Sequence, residues 1–583
     1  MCATLPPPLP RPPHQCHVTR VWSVVSPSLP SDSPSYNRGR RPTAHPWRLS
    51  SRRRFVTGGR SVVSSAVHGT APLASSLALA LALLVLVLTS ATSALSPSEL
   101  ELDVRPSSAA PVTPRPFVAA VSEFVWAEGY PEQDLAVEPD APWRRNLETV
   151  RRHAATAAQQ DADLLVLAEY AILKVWPRAQ LAVYAAQLPP VEDMVVICDD
   201  PTQHEAIRNL SCLAREHQMY IVANFVTKEL CSADSDSACP EDGVSLFNTN
   251  LVFDRTGALI QTYHKYNLFG IELEHLQKPA PHLSAFRTDF GAVIGLMTCF
   301  DVLFEVPGVE MTRRGVTHFA FPTDWGDELP SLSALQMHSA WPRGLGVTLL
   351  SSGIHYLSEG SIGSGIFTGS GALGYLYDYS AEGAEGGVVT ATVPAGCSWG
   401  ADSCPSDQAA AGRQVPSAPA AGNTDDYYPI QNYNVSEFVS APLSGQSQRL
   451  CDGEFCCELT VSQQRPVAAA ESGATYRLLV LDGRRNFAPH WSTQICAVVL
   501  CAGADQASCS TFPAGVAPPP PAPFSLRGSF SAGWAVFPSV IRTHMELLAE
   551  WFYSRPTGQL EVADTGRLLV AQLYGRNYAL DLP

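Results

Sequence analysis

Between residues 117 and 379, apolar runs too continuous to leave one face wet recur at short intervals, separated by segments with helical spacing. FVAAVSEFVW (Phe117 to Trp126), ADLLVLAEYAI (Ala162 to Ile172), AVIGLMTCF (Ala292 to Phe300), VTHFAFPTDW (Val316 to Trp325) and GVTLLSSGI (Gly346 to Ile354) read as strands. PWRRNLETVRRHAATAAQQ and LPSLSALQMHSAWPRGL read as helices between them. LFNTNLVF and ALIQTYHKY, joined by DRTG, form a hairpin whose turn Gly257 supplies. Strands buried on both faces need a layer on each side, so this region is expected to be an α/β layered domain.

A chain of 583 residues is too long for one core. Residues 396–426, rich in Ala, Pro, Ser and Gly, read as a linker or insertion. From residue 427 to residue 583, short alternating strands such as TYRLLVLDGRRNF and RLLVAQLYGRNYAL predict a second, mainly β domain. The first domain is expected to cover 115–395.

Residues 1–94 read as a leader. They carry ten arginines, no lysine and one acid, about +9, which leaves about −25 in the rest of a chain whose total is −16. An acidic remainder disfavours nucleic acid and anionic membranes as partners. LALALALLVLVL (Leu77 to Leu88) followed by TSATSA has the form of a signal peptide, too short to span a bilayer. An uncleaved signal anchor, giving a membrane tether, and an organelle leader are the alternatives. No apolar run precedes the C-terminal YALDLP, so a lipid anchor is not expected there.

Cysteine parity agrees with secretion. Beyond Cys2 and Cys16 there are thirteen, and Cys198, Cys212, Cys231, Cys239, Cys397, Cys404, Cys451, Cys456, Cys457, Cys496, Cys501 and Cys509 form an even set able to pair. The odd one is Cys299. CDGEFCC matches no zinc-ligand spacing, and neither metal nor cofactor is expected. Sequons stand at Asn209 and Asn434.

Functional groups in α/β sheets collect beyond the carboxyl ends of strands. Three apolar runs end on residues that burial alone would not choose: Glu169, Lys265 and Cys299. A thiol needs a base or cation beside it to act as a nucleophile near neutral pH. Lys265 is suited to an oxyanion, and Glu169 to moving the proton from thiol to leaving amine and then activating water.

These residues, in this order on an α/β frame, resemble the nitrilase superfamily of carbon–nitrogen hydrolases. YHKYNLF (Tyr263 to Phe269), TCFDVLF (Thr298 to Phe304), FPTDW, LSALQMHSAW, GSGI, CDGEFCCELTV and QLYGRNY are similar to its vanin (pantetheinase) and biotinidase branch. The resemblance implies an αββα sandwich followed by a smaller β domain. It further implies Glu169 as base, Lys265 as oxyanion stabiliser, Cys299 as nucleophile, and Glu272 as a carboxylate orienting Lys265, with Phe300 in support. The implied substrate is a small linear amide: pantetheine, toward which the YHK triplet and HSAW lean, or alternatively a biotinyl amide. A catalytically retired binding protein is the reading from another class.

Some positions depart from the branch pattern. Ala168 and Tyr170 stand where proline and aspartate are common, Asp324 where alanine is usual, and Tyr266 where glutamine or histidine is found; Cys397 and Cys404 look like an additional pair. Tyr170, Asp324, Trp325 and His355 are the expected substrate-binding residues. His264 and His338 are read as structural or pocket-lining.

Overall fold

The computed structural model describes residues 97–106, 113–127, 142–378, 386–395 and 431–582, less a few short stretches within them. The leader with its apolar run, residues 396–426, and Cys397 and Cys404 lie outside the described residues.

Two sheets form the centre of the first domain. One has six strands in the order Gly387–Val393, Phe117–Glu123, Leu164–Val166, Tyr220–Leu230, Val244–Phe253, Leu259–His264. The other has seven: Leu102–Arg105, Leu283–Arg287, Val293–Leu296, His318–Thr323, Thr348–Gly353, Ser364–Thr368, Gly371–Leu376. Side-chain alternation divides each strand between two interiors. Phe117, Ala119 and Val121 face inward, packing in one cluster with Ile294, Leu296, Ala320 and Leu350 of the second sheet. Ala120 and Phe124 point outward, into a cluster covered by helices.

The covering helices follow from spacing. In Pro142–Gln159, Trp143, Leu147, Val150, Ala154 and Ala157 recur at intervals of four and three and are buried, while Arg144, Arg145 and Glu148 are exposed. On the far side, Ala334–Leu345 packs against the seven-stranded sheet, with Ser333 and Gln336 forming a capping box at its start. The result is the layered αββα arrangement expected from the sequence. Its hairpin turns at Gly257, whose φ of +83° and lack of a Cβ are both required, since a Cβ there would lie 2.5 Å from the Ser211 carbonyl oxygen.

Residues 431–582 build two antiparallel sheets, of six and five strands. Cys457–Cys496 ties one sheet to the other, and Cys451–Cys456 and Cys501–Cys509 close local loops. With Cys198–Cys212 and Cys231–Cys239, five disulfides lie among the described residues. The cysteines of CDGEFCC are thus disulfide-bonded, and Cys299 is a free thiol.

Arg576, fully buried, fastens the β domain to the first one. Its Nε donates to the Leu303 carbonyl at 2.9 Å, and its other nitrogens reach Asp581 at 3.0 and 2.7 Å. Gln572 donates to the Ser331 carbonyl at 2.8 Å. Both belong to QLYGRNY, which is why that segment carries polar residues on a buried strand.

Candidate active site

The carboxyl ends of strands from both sheets meet at one edge. Glu169 lies three residues beyond Leu164–Val166, Lys265 directly follows Leu259–His264, and Cys299 opens the helical turn Cys299–Leu303 after Val293–Leu296. All three line one cavity of about 280 Å³.

Lys265 sits between two carboxylates. Its Nζ donates to Glu169 Oε1 and Glu272 Oε2, each at 2.8 Å, with the three side chains at most 5% exposed. Asn248 bridges the same pair from its Nδ2, at 2.8 Å to Glu169 Oε1 and 2.7 Å to Glu272 Oε1. The Tyr170 hydroxyl also donates to Glu272 Oε1. The second oxygen of Glu169 accepts the Asp324 backbone N–H at 2.9 Å. Nearly every lone pair is used, so the carboxylates have one orientation available.

Cys299 has a φ of +44°, a left-handed conformation that a non-glycine residue holds only where its surroundings enforce it. The enforcement is visible. Asp301, two residues on, accepts the Thr298 N–H at 2.9 Å, the Asn267 N–H at 3.0 Å and side-chain amide at 2.8 Å, and the Tyr263 hydroxyl at 2.8 Å. Tyr263 and Asn267 flank Lys265 at two residues on either side. The YHKYN segment therefore clasps the thiol's turn while presenting the ammonium.

Burial pushes the Cys299 thiol well above its usual value; the Glu169 charge adds to this and Lys265 opposes it. The resting sulfur is thus a thiol, and a thiol has to lose its proton to act as a nucleophile. Burial likewise raises Glu169, against the pull of Lys265. For Lys265 burial acts downward, but Glu169 and Glu272 outweigh it and hold the amine well above its ordinary range. It stays an ammonium and is fitted for charge stabilisation, not for taking protons.

Of the residues expected from sequence to bind substrate, Tyr170, Asp324 and Trp325 line the cavity, as does Phe300. His355 does not. It is buried two residues beyond Thr348–Gly353 with Nδ1 3.3 Å from Glu123 Oε1, turned to a different neighbour. His338 is buried with Nδ1 3.0 Å from Ser351 Oγ, and burial alone drops it to about 3, so it stays neutral. Asn209 is half-buried on Glu205–His217, donating to the Glu205 carbonyl at 2.8 Å, and Asn434 is exposed.

Several contributors were not read from sequence. Asn248 is hidden in the plain strand signal of LFNTNLVF, and its cue was a pair of asparagines, Asn248 and Asn250, on one face of a buried strand. Arg485 and Trp491 line the cavity from the β domain. Arg485 pairs with Glu328, and the Trp491 ring stands edge-on to Phe300 at 5.6 Å.

Comparison with known proteins shows the family of the chain. Residues 141–337 match the carbon–nitrogen hydrolase family, and residues 427–581 match the vanin C-terminal domain. A biotinidase of Takifugu rubripes is 32% identical, covering 80% of this chain and 97% of its own. A pantetheinase of Homo sapiens is 32% identical, covering 75% of this chain and 84% of its own. Among solved structures, an amidase from Nesterenkonia sp. is 19% identical with a TM-score of 0.35, covering 50% of this chain and 94% of that one.

Proposed function

The chain belongs to the carbon–nitrogen hydrolase family, in the branch of pantetheinases and biotinidases, and is an amide-cleaving hydrolase; on that premise we propose that it hydrolyses pantetheine to pantothenate and cysteamine through an acyl-enzyme on Cys299. The observation that carries this reading is the shared cavity of Cys299, Glu169 and Lys265, with the ammonium fixed between two carboxylates.

In the first half-reaction Glu169 takes the Cys299 proton as sulfur adds to the amide carbon. The oxygen gains negative charge, which the Lys265 ammonium stabilises. The C–N bond then breaks, and Glu169 returns the proton to the departing amine. In the second half-reaction Glu169 removes a proton from water, hydroxide adds to the thioester, the C–S bond breaks, and the proton returns to sulfur. Glu272 keeps Lys265 in place throughout, and acids and bases balance over the cycle.

The second reading is cleavage of biotinyl amides, supported by biotinidase relatives of similar identity. Release of cysteamine from pantetheine, measured beside release of biotin from biocytin, separates the two. Preferred turnover of pantetheine is expected. Preferred turnover of biocytin overturns the substrate assignment, and no turnover of either by folded protein favours a retired binding protein. The five disulfides support function in an oxidising, secretory compartment after the leader, where exposed Asn434 is open to glycosylation. Among the described residues, no helix is long and apolar enough to cross a membrane.

A further inference from the structure

Asp324 touches both reacting groups through its main chain. Its N–H donates to Glu169 Oε2 at 2.9 Å, and its carbonyl accepts from Cys299 Sγ at 3.7 Å. The two peptide groups that meet at Asp324, one donating to Glu169 and the other accepting from Cys299, are therefore the first beyond His318–Thr323, a strand that pairs on both sides within the second sheet.

The side chain of this residue is itself held from two separate segments. Oδ1 accepts the Ser361 hydroxyl at 2.7 Å, and Oδ2 lies 3.4 Å from Lys174 Nζ. Lys174 and Asp324 side chains are each 14% exposed, so the pair is shielded from most solvent screening. Lys174 also lies 3.3 Å from Glu359 Oε2 and 4.4 Å over the Trp126 ring. The indole N–H of Trp126 donates to the Tyr170 carbonyl at 3.0 Å, next to Glu169. Contacts thus close a ring from Glu169 through Asp324, Lys174, Trp126 and Tyr170 back to Glu169.

We propose that Asp324 is a positioning residue for the hydrolysis, its carboxylate clamped by Lys174 and Ser361 so that its backbone N–H and carbonyl fix the reach between the Glu169 carboxylate and the Cys299 thiol. This rests on the assignment of Glu169 and Cys299 as base and nucleophile. The clamp also sets charge. Glu169 is faced by Lys265, Glu272, Tyr170, Cys299 and Asp324, and the Asp324 carboxylate repels a second negative charge there. Lys174, faced by Asp324 and Glu359, offsets that repulsion.

The test is the rate of Cys299 alkylation by iodoacetamide against pH, read by mass spectrometry, which does not depend on knowing the natural amide. Asp324→Ala is expected to slow alkylation about tenfold or more at every pH, because a small misplacement of reacting groups is costly. Asp324→Asn, which keeps an acceptor for Ser361, is expected to recover most of that rate. The charge changes should move the acid limb in opposite directions, by about half a pH unit or more: downward for Asp324→Asn and upward for Lys174→Met. A purely structural clamp would slow both variants without moving the limb. If Asp324→Ala does not fold, the other two variants carry the test. Glu169→Gln separates the levels. If it abolishes the limb while the Asp324 and Lys174 variants match the parent, the positioning role is overturned alone; if it changes nothing, the base assignment falls first.

Discussion

Replacing Lys265 with methionine removes the ammonium that Glu169 and Glu272 share and changes little in shape. The parent site holds one cation and two carboxylates with Nζ–O distances of 2.8 Å and side chains 2%, 1% and 5% exposed. Without the cation, buried negative charge is left uncompensated, which costs about 3–5 kcal/mol. Asn248 still donates to both carboxylates but brings no charge.

The pH dependence of that loss is the sharper test. Glu169 is already raised by burial against the pull of Lys265, so removing Lys265 raises it further above its unfolded value of about 4.3. Between the unfolded and folded values the native state binds a proton that the unfolded chain has released. Stability therefore falls as pH rises through that window, by about 1.4 kcal/mol per unit of separation. The parent Lys265, held above its usual value, remains charged across the same range and adds no slope. The destabilisation of Lys265→Met is thus expected to be about 1–3 kcal/mol larger at pH 8 than at pH 5. Calorimetric midpoints and urea titrations at both pH values measure it. Adding Glu272→Gln removes one of the stranded charges and should restore part of the loss. A deficit that is the same at both pH values, or a double variant no more stable than the single one, would refute the picture of an ammonium compensating two carboxylates.

Other consequences follow from the same contacts. Arg576→Met strands Asp581 and two carbonyls and is expected to cost about 3–5 kcal/mol in urea titration; it should also slow Cys299 alkylation, because Leu303 closes the thiol's turn. Replacing both Cys457 and Cys496 with alanine opens a loop with a sequence separation of 39 and should lower stability by about 4 kcal/mol, seen as a fall in Tm. Trp491→Ala removes an aromatic wall of the cavity, and KM is expected to rise about tenfold with kcat much less affected, if the β domain contributes to substrate binding.

The layers were legible because burial on two faces leaves a plain mark: Ala119 and Ala120 point into different cores, and both are apolar. Glu169, Lys265 and Cys299 stood out for the converse reason, being chemistry set against apolar background. Helix Pro142–Gln159 ended within a residue of its expected limit, whereas Phe117–Glu123 stopped short of Trp126, whose indole turns to bond the Tyr170 carbonyl. What stayed hidden depends on distance along the chain. Arg485 and Trp491 reach the cavity from another domain, and His355, expected to bind substrate, is instead turned to Glu123, its neighbour in space 232 positions away. Leu102–Arg105, too short to show a period, joins the second sheet beside Leu283–Arg287 only once that strand exists to pair with it.

The claim that Cys299 carries the acyl group can be tested by trapping it. In Glu169→Gln, mixed at alkaline pH with a p-nitrophenyl ester of pantothenic acid, the leaving group needs no proton and the charge that helps hold the thiol up is gone, so acylation is expected to be slowed less than deacylation, which lacks a base to activate water. After acid quench and peptide mapping, the expected result is a pantothenoyl thioester on the peptide containing Cys299, absent from Cys299→Ala. An unmodified Cys299 during continued ester turnover, or an acyl group on another residue, would contradict the account.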